Sequence, residues 1–165
     1  MEYEEVELVF HNPRNLYRKH PLTSKVLTYL VKAVNGKRKK GKGKVVSLDL
    51  GCCDVSDLML KELIIGQWHY LETLKLDRNK LSSLCIEYLH RGKWKTLKVL
   101  DLSHNNIKAI NGRVFASCLP ETLSELYLED CQLDWRFLDD LHGNQWNELK
   151  VLELDRNSQL GNEGI

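Results

Sequence analysis

Long apolar runs are missing from this chain. No stretch approaches the run of about 18 apolar residues that a membrane-crossing helix needs, so no span is expected. The start, MEYEEVELVF, is acidic and has no basic n-region, so no secretory signal is expected there. Catalytic and metal spacings are missing as well. The histidines stand at 11, 20, 69, 90, 104 and 142, and none forms an HExxH pair. There is no GxSxG turn, no phosphate loop and no glycine-rich dinucleotide turn. The cysteines at 52, 53, 85, 118 and 131 are odd in number and lack CxxC spacing. Cys52 and Cys53 are adjacent and do not readily bond each other. Free thiols in a reducing cytoplasm or nucleus follow. These absences point away from an enzyme, a metal site or a cofactor, and towards an intracellular protein.

What is present is ordinary in bulk and uneven in detail. The 165 residues suffice for one domain with a core. Apolar residues make up 42% and charged residues 28%, the range of soluble globular chains. Net charge is only +1, but KRKKGKGK over 37–44 carries six basic residues and no acidic one. Outside it stand 18 basic against 23 acidic residues, so a mildly acidic body carries one basic loop.

A period of 26 residues dominates the rest. VVSLDLGCCDV starts at 45, LETLKLDRNKL at 71, LKVLDLSHNNI at 97, LSELYLEDCQL at 123 and LKVLELDRNSQL at 149. Repeats at a fixed step indicate stacked supersecondary units. In each, leucines at relative positions 4 and 6 share one face of a short strand: Leu48 and Leu50, Leu74 and Leu76, Leu100 and Leu102, Leu126 and Leu128, Leu152 and Leu154. Position 9 is Cys53, Asn79, Asn105, Cys131 or Asn157. Where the chain leaves the strand, backbone groups need partners. An asparagine amide both donates and accepts, and a cysteine is small and tolerates burial. This ladder is read as structural.

The spacing L-x-x-L-x-L-x-x-N/C-x-L over residues 45–165 resembles the leucine-rich repeat. The step of 26 and the ending NSQLGNEGI are similar to the ribonuclease-inhibitor-like subclass. The resemblance implies an α/β fold, a curved leucine-rich-repeat solenoid or short horseshoe, with parallel strands on the concave face and helices on the convex face. Strands stack about 4.8 Å apart while helices need roughly 8–10 Å, so the helices belong outside. His104 and Cys52 then lie roughly 10 Å apart, too far for a nucleophile and its base.

The second half of each repeat reads as helix, over 57–65, 83–91 and 134–142, with Leu63, Leu89, Phe115 and Leu141 facing the core. Ser82 and Asp134 are candidate caps. In KAINGRVFASCLPET, Gly112 weakens the helical pattern and Pro120 ends it. Trp68, Trp94 and Trp146 recur near the repeat boundary and read as packing under the helix-to-strand turn rather than as a binding stripe.

Two domains are expected: an N-terminal cap over 1–44, made of strand, helix and basic loop, and five repeats over 45–165, the last incomplete. In the cap, Val6, Leu8 and Phe10 alternate as in a strand that shields the first edge. Val26, Leu27, Leu30, Val31 and Val34 form a helical stripe, begun by Pro21, Thr23 and Ser24 and stopped at Asn35-Gly36. The chain stops inside the next expected helix. Either residues follow Ile165, or the last strand pairs with another chain as an edge-paired dimer rather than a monomer.

Strand alternation sets the concave candidates: Asp49, Lys75, Arg78, Asp101, His104, Glu125, Tyr127, Asp130, Glu153 and Arg156. Tyr127, exposed amid Glu125, Glu129 and Asp130, is the anchor candidate. The resemblance implies a protein partner on this face. The loop residues Lys37, Arg38, Lys39, Lys40, Lys42 and Lys44 leave three readings open: a nuclear or nucleic-acid patch, a contact for an acidic surface, or a solvated linker.

Overall fold

The computed structural model describes residues 4–10, 22–35, 43–108, 110–141 and 147–161. Six strands form one open parallel sheet in chain order: β1 (Glu5–Val9), β2 (Lys44–Asp49), β3 (Thr73–Lys75), β4 (Val99–Asp101), β5 (Glu125–Tyr127) and β6 (Val151–Glu153). Five helices alternate with them: α1 (Ser24–Asn35), α2 (Asp57–Leu63), α3 (Cys85–Arg91), α4 (Gly112–Cys118) and α5 (Trp135–Leu141). This is an α/β leucine-rich-repeat solenoid, with strands on its concave face and helices on its convex face. From β2 onward, register advances by one sequence period per strand. Ser47 pairs with Thr73, Val99, Glu125 and Val151 in turn, and Leu48 with Leu74, Leu100, Leu126 and Leu152.

That register exists because each leucine must meet its counterpart. Leu48, Leu74, Leu100 and Leu126 are fully buried, as are Leu50, Leu76, Leu102 and Leu128. A slip of one residue would turn all of them to solvent. Leu152 and Leu154 pack on the same core but are only partly buried, because no described strand covers β6. Backbone bonding continues past the strands. Leu50, Leu76, Leu102 and Leu128 donate to Lys75, Asp101, Tyr127 and Glu153 of the following repeat.

The helices follow the expected rows with local corrections. Leu63, Leu89 and Phe115 are buried, and Leu141 packs partly buried against the core. Ser56 caps α2 through the Met59 N–H, and Asp134 accepts from Arg136 and Phe137 at the start of α5. Ser82 bonds Leu84, in the turn that precedes α3, and its hydroxyl reaches Asp57 of the previous repeat at 2.7 Å. Lys108 occupies the position equivalent to Ser56, Ser82 and Asp134 and offers no acceptor. Helix α4 instead starts beyond Asn111, which accepts the Val114 N–H at 3.0 Å. Gly112 does not interrupt this helix. It is the first helical residue, and a side chain there would strike the Phe137 carbonyl oxygen of α5. Phe115 and Phe137 meet edge to face at 5.3 Å across the same junction. The helix ends at Cys118, two residues before Pro120.

At the other end, β1 lies along β2, with a register shift between Val6 and Glu7. Leu27 is buried and Leu30, Val31 and Val34 pack on the core. Val26, expected in that stripe, is 42% exposed. Residues 27, 30, 31 and 34 follow the i, i+3, i+4, i+7 pattern, and 26 falls outside it. Asn35 closes α1 and ties it to the first repeat, accepting the Gln67 N–H at 2.7 Å and donating to the Ile65 carbonyl. Pro21, the loop residues 36–42, Trp146 and the end of NSQLGNEGI lie outside the described residues.

Candidate functional site

The strand face is assembled by register. Asp49, Lys75, Asp101, Tyr127 and Glu153 end their strands and form one row across β2 to β6. Glu125 belongs to the parallel row two residues earlier, and its carboxylate takes the Tyr127 hydroxyl at 2.8 Å. The row alternates in chemistry. Asp49, Asp101 and Glu153 each accept the N–H two residues ahead, from Gly51, Ser103 and Asp155. These carboxylates therefore brace the turn that follows their own strand. Lys75 and Tyr127, lacking that option, project over the sheet. Between them is a depression of about 460 Å³ lined by Thr73, Lys75, Val99, Asp101, Glu125 and Tyr127.

The Tyr127 phenol has its pKa raised above the ordinary tyrosine range. The bond to Glu125 is the main cause, followed by partial burial and by the negative charges of Glu125, Asp101 and Glu153.

Arg78, His104, Asp130 and Arg156 occupy a different structure. With Cys52 they hold position 8 of the five repeats, and all five have left-handed backbones, φ 53, 57, 51, 59 and 56 respectively. Non-glycine residues rarely adopt this region. Here the bend repeats because the Cys52, Arg78, His104 and Asp130 N–H groups each bond the carbonyl of the neighbouring repeat's position 7. Their side chains then pair along the stack. Arg78 Nη2 lies 2.9 Å from His104 Nε2, and His104 Nδ1 lies 3.1 Å from Asp130. Nε2 also lies 3.5 Å from the Glu129 carboxylate, so the imidazole sits among Arg78, Glu129 and Asp130. Arg156 reaches Glu129 at 3.1 Å. Three of the ten residues expected on the binding face, Arg78, His104 and Asp130, thus engage one another in a rim beside it, and Arg156 joins the rim through Glu129.

The position-9 residues make a separate set of bonds inside the stack. Asn79 donates to the carbonyls of Leu50, Leu76 and Asp77, and accepts the Cys53 and Val55 N–H groups. Asn157 does the same one stage later with Leu128, Leu154, Asp155, Cys131 and Leu133. Asn105 donates to Leu76, Leu102 and Ser103 and accepts from Leu81. The Cys131 thiol donates to the Leu102 carbonyl and the Cys53 thiol to Gly51. Burial pushes both thiols up to about 11, with nearby carboxylates adding, and it raises Cys85 further. All five cysteines are free.

Of the basic loop, Lys44 is described. It begins β2 and stacks over the Tyr70 ring at 4.7 Å. Lys37, Arg38, Lys39, Lys40 and Lys42 lie outside the described residues. An apolar cavity of about 330 Å³ lies between α1 and the first strands, lined by residues including Leu30, Val34, Val45 and Trp68. Among the described residues no group of three or more His, Cys, Asp or Glu is placed to hold a metal ion, and no helix is long and apolar enough to cross a membrane.

Some roles escaped the sequence reading although a signal for them was present. Gly66-Gln-Trp68 and Gly92-Lys-Trp94 stand one period apart. Their indole N–H groups bond the carbonyls of Leu63 and Leu89 at 2.8 and 2.7 Å, closing the ends of α2 and α3, and each glycine lies against the ring. Thr96 and Thr122 likewise repeat and bond the Leu71 and Leu97 carbonyls. β1 also extends the strand face, placing an exposed Val9 beside Asp49.

Residues 69–133 match the leucine rich repeat family, and the architecture into which that segment falls is a leucine-rich-repeat solenoid. A comparison with curated proteins gave no match. Repeats of this family generally mediate protein–protein interaction and are typically non-catalytic.

Proposed function

We propose that this chain is a non-catalytic interaction module that holds a protein partner on its concave strand face. The supporting observation is the register-aligned row Asp49, Lys75, Asp101, Tyr127 and Glu153, displayed on strands whose opposite face is locked into the leucine core. A strand backbone held this way needs no ordering on binding, so the ordering cost is confined to the side chains. In this reading residues 1–44 are an N-terminal cap and 45–165 are five repeats of the ribonuclease-inhibitor-like subclass, in an intracellular protein acting as a scaffold.

The test is quantitative capture of partners by the wild-type chain, a strand-face reversal (Lys75→Glu with Glu125→Lys) and a convex-face control (Lys61→Glu with Arg113→Glu). Loss of the same partner with the first pair alone supports the proposal; equal loss with the second overturns it. The alternative, a nuclear or nucleic-acid-associated factor acting through 37–44, rests on the charge of the loop. Deleting 37–44 separates the two, since nucleic-acid affinity requires those charges and falls steeply with salt.

A further inference from the structure

The carboxylates of the strand face fall into two groups. Glu129 and Asp130 are engaged with Arg156 and His104. Asp101, Glu125 and Glu153 form no ion pair among the described residues; their bonds go to Ser103, Tyr127 and Asp155. Register sets Tyr127 between Asp101 on one side and Glu153 on the other, with Glu125 on its own strand. The phenol pKa is raised first by the bond to Glu125, then by burial and by the charges of Glu125, Asp101 and Glu153. The depression beside it is also lined by Val99 and by a single cation, Lys75, two strands from Tyr127 and one from Asp101.

We propose that this depression seats one cationic side chain, arginine in preference to lysine, projecting from an extended segment of a protein partner. The proposal rests on the strand-face reading above and narrows it to a partner chemistry. The cation lies over the Tyr127 ring and among Asp101, Glu125 and Glu153. Arginine suits this place because its planar fork stacks on an aromatic face while meeting a carboxylate with two parallel bonds. Lys75 is the register neighbour of Asp101, yet none of the three carboxylates is ion-paired among the described residues, so the incoming charge replaces no existing pair. Lys75, beside Asp101 and roughly 10 Å from Tyr127 by strand spacing, repels a second cation and limits the site to one. The same carboxylates repel phosphate, which sets this face against nucleic acid.

The test is titration of the isotope-labelled full chain, followed by its amide spectrum. The probes are serine-glycine nonapeptides carrying one central arginine, glutamate or leucine, and a short thymidine oligonucleotide. The arginine peptide is expected to shift the amides of 99–101, 125–127 and 151–153. Its apparent affinity should fall about tenfold in Tyr127→Ala, as for an anchor residue. It should fall about threefold in Glu125→Gln, as for an exposed charge pair. Tyr127→Phe, which keeps the ring, should retain most of the binding, and Lys75→Ala should strengthen it. If the glutamate or leucine peptide shifts those strands while the arginine peptide does not, the cation assignment is overturned and the strand face still stands as a binding surface. If the oligonucleotide shifts them instead, or if no probe shifts any strand-face amide, the proposal fails. The capture experiment above then decides separately whether the strand-face reading survives.

Discussion

Bends closed by asparagine and bends closed by cysteine solve the same problem in different ways. Asn79 and Asn157 each satisfy three carbonyls and two N–H groups, and both of those N–H groups belong to the preceding repeat. An asparagine therefore fastens its neighbour as much as itself. The cysteines at 53 and 131 offer one weak donor and no oxygen. Two features go with them. Their own bends are held from outside, by Asn79 and Asn157. The residue after each cysteine, Asp54 or Gln132, also turns left-handed, at φ 62 and 60, and neither Lys80 nor Asn106 does so at the same place. The difference teaches that the choice at position 9 is not a neutral exchange of two small polar residues. A cysteine is tolerated where the following repeat supplies an amide. The bend at Asn105 is the one followed by a cysteine, so Cys131 gives it no oxygen.

That comparison predicts unequal costs. The largest is expected for Asn105→Ala. Asn105 is 3% exposed, and its removal takes the amide partner from the Leu76 carbonyl and the Leu81 N–H, while the Leu102 and Ser103 carbonyls keep the Cys131 thiol and the Arg78 N–H. Buried groups left unpaired cost about 1–3 kcal/mol each, so a loss of about 3 kcal/mol or more is expected from the urea midpoint at unchanged slope. Cys131→Ala should cost about 1 kcal/mol, since it deletes one thiol bond and little volume. Equal losses in the two variants would break the comparison.

The smallest effect is expected at the surface, where a side-chain hydroxyl rather than a backbone group is the partner. Glu125→Gln should bring the Tyr127 phenol back towards the ordinary tyrosine range, read by ultraviolet titration. The sign follows from the bond. The neutral phenol donates to Glu125 and the phenolate would face three carboxylates, so the folded pKa is the higher one. Its contribution to stability is present below the ordinary tyrosine value and fades as pH rises through the folded value. An unchanged titration in Glu125→Gln would show that the bond is not the main cause.

The strand face shows where reading by spacing reaches its limit. Asp49, Lys75, Asp101, Tyr127 and Glu153 were legible because alternation in a strand is a strict period of two. Arg78, His104, Asp130 and Arg156 were grouped with them on the same period. The strands end one residue after the first buried leucine, and the chain turns left-handed at position 8. A turn of this kind usually announces itself by glycine or asparagine. Here the bonds between repeats hold arginine, histidine and aspartate in it, and no local residue signals the change. The delayed start of α4 was legible only in part. Pro120 marked its end, but Lys108 at the capping position and Asn111 beyond it had to be weighed against a glycine that reads as a breaker.

The sequence by itself determined the period, the leucine columns and the order of strand and helix, because a core repeated every 26 residues leaves its spacing in the chain. It also carried the asparagine and cysteine positions, whose chemistry is local to each bend. Tertiary structure alone decided which side chains pair across repeats. Arg78 with His104, Arg156 with Glu129, and Tyr127 between Asp101 and Glu153 meet because parallel strands bring residues one or more periods apart to neighbouring places. Separation in space, not in sequence, sets the energy of a charge or a hydrogen bond, and stacking is what makes the two differ.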